Sequence, residues 1–143
     1  MTRFQLLVIY LLILLVSLSG CFRDVKPYEF RQDADKIVSI ELRQKEHDSS
    51  SFLTPTVLMK KLDESEHQDL IDALKGVSGN YLYTNTVTGI GQYQIWIYYN
   101  DGETEIIGAY NSRYILADGS WGLDCYMFDL SEFHELMGRF LEG

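Results

Sequence analysis

The sequence predicts an α+β domain, with a single antiparallel sheet of about five to seven strands and two helices packed on one face. Three observations carry that prediction. Short runs of alternating apolar and polar residues recur between turn residues, which is the period of half-buried strands. Two segments, 64–75 and 130–141, instead show an apolar face at helical spacing. The strand-like runs between them are joined by short turns, as in hairpin-linked antiparallel strands.

In chain order, Val38, Ile40 and Leu42 alternate with Ser39, Glu41 and Arg43, a first strand with its apolar set inward. Residues 44–54 are polar and Ser-rich and read as a loop, and Thr56–Leu62 is β-branched and apolar enough for a second strand. Asp63 stands three residues before Glu66, an N-terminal capping pair, and Leu70, Ile71 and Leu74 form one apolar face. A helix is therefore predicted over Glu64–Lys75, with Gly76 placed where a helix end takes positive φ. Tyr81–Val87 reads as a strand. Gln92–Tyr99 is the strongest strand pattern, with Tyr93, Ile95, Ile97 and Tyr99 on one face and Trp96 and Tyr98 on the other. Asn100-Asp101-Gly102 predicts a hairpin turn, and Thr104–Tyr110 returns from it. Tyr114–Ala117 and Leu123–Phe128 follow as short strands around the turn Asp118-Gly119-Ser120. Asp129, with Glu132 three residues on, caps a closing helix whose buried stripe is Phe133, Leu136, Met137, Phe140 and Leu141.

The chain carries 12 basic and 21 acidic side chains, a net charge of −9. Arg3 is the only charge among residues 1–20, so the part beyond them has a net charge of −10. A domain that acidic is repelled by phosphate backbones and by anionic headgroups, which argues against nucleic acid as a partner and against surface adsorption to a membrane.

The N-terminus offers another means of attachment. Met1-Thr2-Arg3 supplies a positive charge, and an apolar run from Phe4 to Leu18 follows, interrupted only by Gln5 and Ser17. The run suits the apolar region of a signal peptide. It ends in Leu18-Ser19-Gly20-Cys21, an aliphatic residue, two small ones and a cysteine. This segment resembles the lipobox of bacterial lipoproteins, and the resemblance covers residues 1–21 alone. It implies cleavage between Gly20 and Cys21 and a thioether from the Cys21 thiol to a diacylglyceryl group, in some members with a further acyl chain, such as palmitate, on the amine. Two or three acyl chains give stable anchoring where one is marginal. The implied address is the extracytoplasmic face of the cell membrane.

The organisation expected is a signal peptide over 1–20, a flexible tether over 21–35 beginning at the lipidated Cys21, and a globular domain over 36–143. Residues 22–35 are polar and mixed in charge, with Pro27 and no apolar period. With Cys21 committed to lipid, Cys125 is left unpaired; between apolar neighbours in a strand it reads as a small buried hydrophobe.

Few residues suggest chemistry. His47, His67 and His134 fall in a loop and two helices without metal-ligand spacing, so neither a metal nor a cofactor is expected. Thr88-Gly89-Ile90-Gly91 is half of a phosphate loop, but a strand follows where a helix is required. Gly119-Ser120-Trp121-Gly122 lacks the spacing of a nucleophile elbow and reads as a turn. Asp63, Glu64, Glu66, Asp69 and Asp72 cluster on the first helix opposite its apolar face, as a solvated surface does. Trp96 and Tyr98 stand out: if the helices cover the other face, they form a candidate binding surface, since aromatic rings with polar tips suit protein and sugar contacts.

The function expected is a non-enzymatic extracytoplasmic binding or interaction module with a protein or cell-wall partner. The alternatives are an inhibitor or immunity-type protein at the cell surface, whose acidity would suit a basic partner, and then an envelope hydrolase.

Overall fold

The computed structural model describes Gln5 and residues 25–47, 54–81, 91–108, 112–122, 126–127 and 129–142. The expectations for Gly20, Cys21, Cys125 and the strand over 82–87 lie outside the described residues.

The described strands and helices are β1 (Val25–Pro27), β2 (Ile37–Lys45), β3 (Thr56–Lys61), α1 (Glu64–Gly76), β4 (Ser78–Tyr81), β5 (Tyr93–Tyr99), β6 (Thr104–Gly108), β7 (Ser112–Ile115), β8 (Tyr126–Met127) and α2 (Leu130–Leu141), with a 3-10 turn at Ala34–Lys36. The fold is α+β, as the sequence predicts. An antiparallel sheet in the order β3-β2-β5-β6-β7 carries both helices on one face. Strands β1, β4 and β8 form a second, smaller antiparallel sheet in the order β1-β4-β8.

The register explains the core. Ile40 pairs with Ile97, Leu42 with Ile95, and Ile95 with Ile107. Residues directly opposite share a face, so these five form one apolar layer, and each is 0% exposed. Leu70 and Leu74 of α1 and Phe133, Leu136, Met137 and Phe140 of α2 complete the cluster. Burial of each such side chain contributes about 1.5–3 kcal/mol.

The helix starts follow their sequence signals. The Asp63 N–H donates to Glu66 Oε2 at 2.9 Å, and Asp129 Oδ1 accepts from the Ser131 and Glu132 N–H groups at 2.9 and 3.2 Å. Lys60 Nζ reaches Glu66 Oε1 at 2.9 Å and the Phe140 carbonyl at 2.8 Å, tying β3 to both helices. These contacts hold the Glu66 carboxyl below its ordinary range, the Asp63 N–H acting most and Lys60 next. The β5–β6 turn is also as expected: Gly102 has φ +89°, and its N–H donates to the Tyr99 carbonyl at 3.1 Å.

Some local features differ from the sequence reading. The register jumps between Ile37 and Ser39, which makes Val38 the extra residue of a β-bulge. Ile37 packs against the core, and Val38 is 59% exposed where plain alternation would turn it inward. At the end of α1, Gly76 belongs to the helix and lacks positive φ, which among the described residues occurs only at Gly102 and Gly119. The helix closes through Val77, at φ −85° and ψ 124°, because the chain passes directly into β4.

The segment expected to be a flexible tether also differs, in its described part. Residues 25–27 pair with β4, and Tyr28 is 3% exposed within the hydrophobic core. The Tyr28 hydroxyl donates to Glu105 Oε1, and the Arg31 N–H donates to Glu105 Oε2 at 3.0 Å. Gln32 donates to Asp101 at 2.6 Å and Glu103 at 3.0 Å, while the Arg31 guanidinium pairs with Glu103 at 3.4 Å and lies 4.5 Å from the Tyr114 ring centre. Residues 25–36 are thus a strap laid across the domain. Its polar composition hides one buried aromatic, which has no periodicity to reveal it.

Glu105 is the polar centre of this packing. Its register partner Ile97 places it on the helix-covered face, where it is 3% exposed. Burial pushes its carboxyl up, opposed by the hydrogen bonds from Tyr28, Tyr99 and the Arg31 N–H. A buried carboxylate without such donors would be strongly destabilising.

Candidate functional site

The opposite face of the sheet is built from the alternate residues. Trp96 pairs with Glu41 on one side and Ile106 on the other; Tyr98 pairs with Ser39 and Thr104. Arg43 pairs with Gln94 and Leu58, bringing β3 into the same face. Ile95 and Ile97 occupy the helix-covered face, so alternation alone sends Trp96 and Tyr98 away from both helices.

The geometry is a connected aromatic and charged cluster. The Trp96 and Tyr98 ring centres are 6.3 Å apart with planes at 39°. The Arg43 guanidinium lies 4.9 Å from the Trp96 ring centre, a cation–π distance. Arg43 Nη1 donates to Glu41 Oε2 at 2.6 Å and to the Tyr98 hydroxyl at 3.5 Å, and its Nε donates to Thr56 Oγ1 at 3.0 Å. The Tyr98 hydroxyl donates to Glu41 Oε2 at 3.0 Å, and Trp96 Nε1 donates to Gln94 Oε1 at 2.7 Å. Desolvation, and next the bond to Glu41, push the Tyr98 phenol above its ordinary value, so it remains a hydrogen-bond donor.

The cluster grades from closed to open. Lys45, Gln94, Ile106 and Arg113 are buried at 1–2% exposure, whereas Trp96 and Tyr98 are half-buried. The side chains of Glu41 and Arg43 retain 18% and 23% of their exposure, and Leu58 is exposed. A guanidinium fixed over an indole and a carboxylate holding a phenol leave these side chains pre-organised.

The structure brings Trp96 and Tyr98 together as the sequence suggests and adds Glu41, Arg43 and Gln94. The alternation of β2 already turned Glu41 and Arg43 outward; what it lacked was the pairing of β2 with β5, since neighbouring strands need not be consecutive in sequence.

The other sequence candidates are dispersed. His47 lies just beyond β2, His67 in α1, and His134 is exposed on α2, edge-on to Tyr93 at 5.2 Å. Among the described residues no group of three or more His, Cys, Asp or Glu is placed to hold a metal. Gly119 and Ser120 form a turn, with the Leu116 N–H donating to the Ser120 carbonyl and the Gly119 N–H to the Leu116 carbonyl, each at 2.8 Å. Gly91 leads into strand β5; residues 88–90 lie outside the described residues. Glu64, Asp69 and Asp72 are exposed on α1. A cleft of about 890 Å³ opens between the start of β2, the end of β3 and α1. Its lining includes Ser39 and His67, whose Oγ and Nε2 lack hydrogen-bond partners but are shut off from solvent. Neither atom can meet a ligand there without a side-chain movement.

Among the described residues no helix is long and apolar enough to cross a membrane. No family model, curated protein or solved structure matches the chain.

Proposed function

We propose that the chain is a lipoprotein, anchored through Cys21 on the extracytoplasmic face of the cell membrane, that acts as a non-enzymatic binding module. The Trp96/Tyr98 face meets a protein or cell-wall partner. One observation carries the binding reading: two adjacent aromatic rings lie on the sheet face away from both helices, half-open and held by Arg43 and Glu41. Such rings supply contact area at low conformational cost, and the Arg43–Glu41 pair supplies directional polar contacts.

The test combines folding and capture. Lipidated protein, wild type or Trp96→Ala/Tyr98→Ala, is incubated with detergent-solubilised envelope of the producing organism and with soluble cell-wall fragments. The wild type should retain a partner or a glycan, and the double variant should lose it while keeping its circular-dichroism melting transition. Loss of the fold in the variant would assign the two rings to structure. Labelling with a fatty-acid analogue should mark the wild type and not Cys21→Ser.

The net charge of −10 beyond the signal segment favours one further reading, an inhibitor or immunity-type protein with a basic target. Capture of a single tight, basic protein would select it.

A further inference from the structure

We infer that the strap holds the domain within about 14 Å of the bilayer, with the β1 edge toward the membrane, an inference that rests on the Cys21 anchor of the preceding reading. Val25, the first residue paired in β1, follows Cys21 by four residue steps, with three residues between them. Whatever path the chain takes, four such steps span at most about 14 Å, whereas a free tether from Cys21 to Lys36 could reach about 50 Å.

The short leash matters only if the strap stays docked, and its contacts are distributed along its length. Val25, Lys26 and Pro27 pair with Asn80, Gly79 and Ser78 in the small sheet. Tyr28 enters the core and, with the Arg31 N–H, donates to buried Glu105. Arg31 and Gln32 then bind Glu103 and Asp101 at the β5–β6 turn. Peeling the strap away would expose Tyr28 and strip two of three donors from a buried carboxylate, so the docked form is strongly favoured.

Charge sets the orientation. Residues 22–36 hold four basic and four acidic side chains, so the net −10 lies wholly beyond residue 36. An anionic leaflet repels that body over a Debye length of about 8 Å, comparable to the permitted gap. The neutral strap is thus the side that faces the lipid, and the acidic body points outward. The domain works in the layer next to the bilayer, and a partner must be a membrane protein or a polymer that reaches the membrane surface.

Neutron reflectometry of the mature lipidated protein on a supported bilayer containing anionic lipid reads the gap directly. The expected gap is at most about 14 Å, and twelve Gly/Ser residues inserted between Asp24 and Val25 should widen it by roughly 20 Å. A wild-type gap of several tens of ångströms, unchanged by the insertion, overturns the close attachment while leaving the anchor intact. Mass spectrometry of the same material separates the two ideas, because an unlipidated residue 21 overturns the anchor and this inference together.

Discussion

Tyr28 and Glu105, seventy-seven residues apart, meet in the core, where the phenol hydroxyl donates to the carboxylate. The bond joins the N-terminal strap to β6 and makes a polar-looking segment part of the fold. Tyr28→Phe keeps the ring and removes the donor. Hydrogen bonds to charged groups are worth about 1.5–3 kcal/mol, so chemical denaturation should show a loss of that size. Hydrogen exchange of residues 25–32 should quicken in the same variant, and unchanged exchange would mean that the strap is held by other contacts.

The same carboxylate predicts a pH dependence. Burial raises the folded-state value of Glu105 above its ordinary one, so the folded state binds the proton more readily than the unfolded state. Stability from this group is fully present below the ordinary carboxylate value and is lost as pH rises through the raised value. Glu105→Gln cannot titrate. The stability of wild type minus that of Glu105→Gln should therefore fall as pH rises above the ordinary carboxylate value. A difference that stays flat or rises with pH would contradict the assignment. The difference is needed because Asp118 and Asp129, whose values are lowered by hydrogen bonds from Ser120 and Ser131, lose stability as pH falls.

The bulge at Val38 makes two neighbouring apolar residues behave differently. Ile40→Ala removes a side chain that is 0% exposed and should cost about 2–5 kcal/mol. Val38→Ala, at a position 59% exposed, should stay within about 0.5 kcal/mol of wild type. Equal costs in urea denaturation would restore the plain alternation that the register rejects.

Gly122 sits under the Tyr114 ring. A Cβ there would come within 1.8 Å of Tyr114 Cζ, and the three nearest atoms all belong to that ring. Gly122→Ala must swing the ring aside and disturb its contact with Arg31, with an overpacking cost of about 1–3 kcal/mol. Adding Tyr114→Ala should make the Gly122→Ala cost vanish. If the alanine costs as much without the ring, the strain has another source.

Much of the fold was legible because local periodicity encodes it. Ile95, Ile97 and Tyr99 against Trp96 and Tyr98, and Leu70, Ile71 and Leu74 along α1, are patterns that burial on one side imposes on sequence. Capping residues Asp63 and Asp129 and the Gly102 turn were legible for the same reason, since each acts within a few residues. The Val38 bulge was not, because an extra residue leaves composition unchanged and shifts only pairing.

The candidate site was half-legible. The pattern set Trp96 and Tyr98 apart, but the Arg43 guanidinium over Trp96 and the Glu41 bond to Tyr98 depend on β2 lying beside β5 across more than fifty residues.

By itself the sequence determined the alternation of the strands, the ends at which the helices start, the excess of acid and the cysteine that closes an apolar run. Tertiary structure alone decided that Tyr28 belongs to the core and that a carboxylate is the group that receives it. The reason is range: periodicity and capping act over one or two turns of chain, whereas a buried donor finds its acceptor only after the intervening residues have folded.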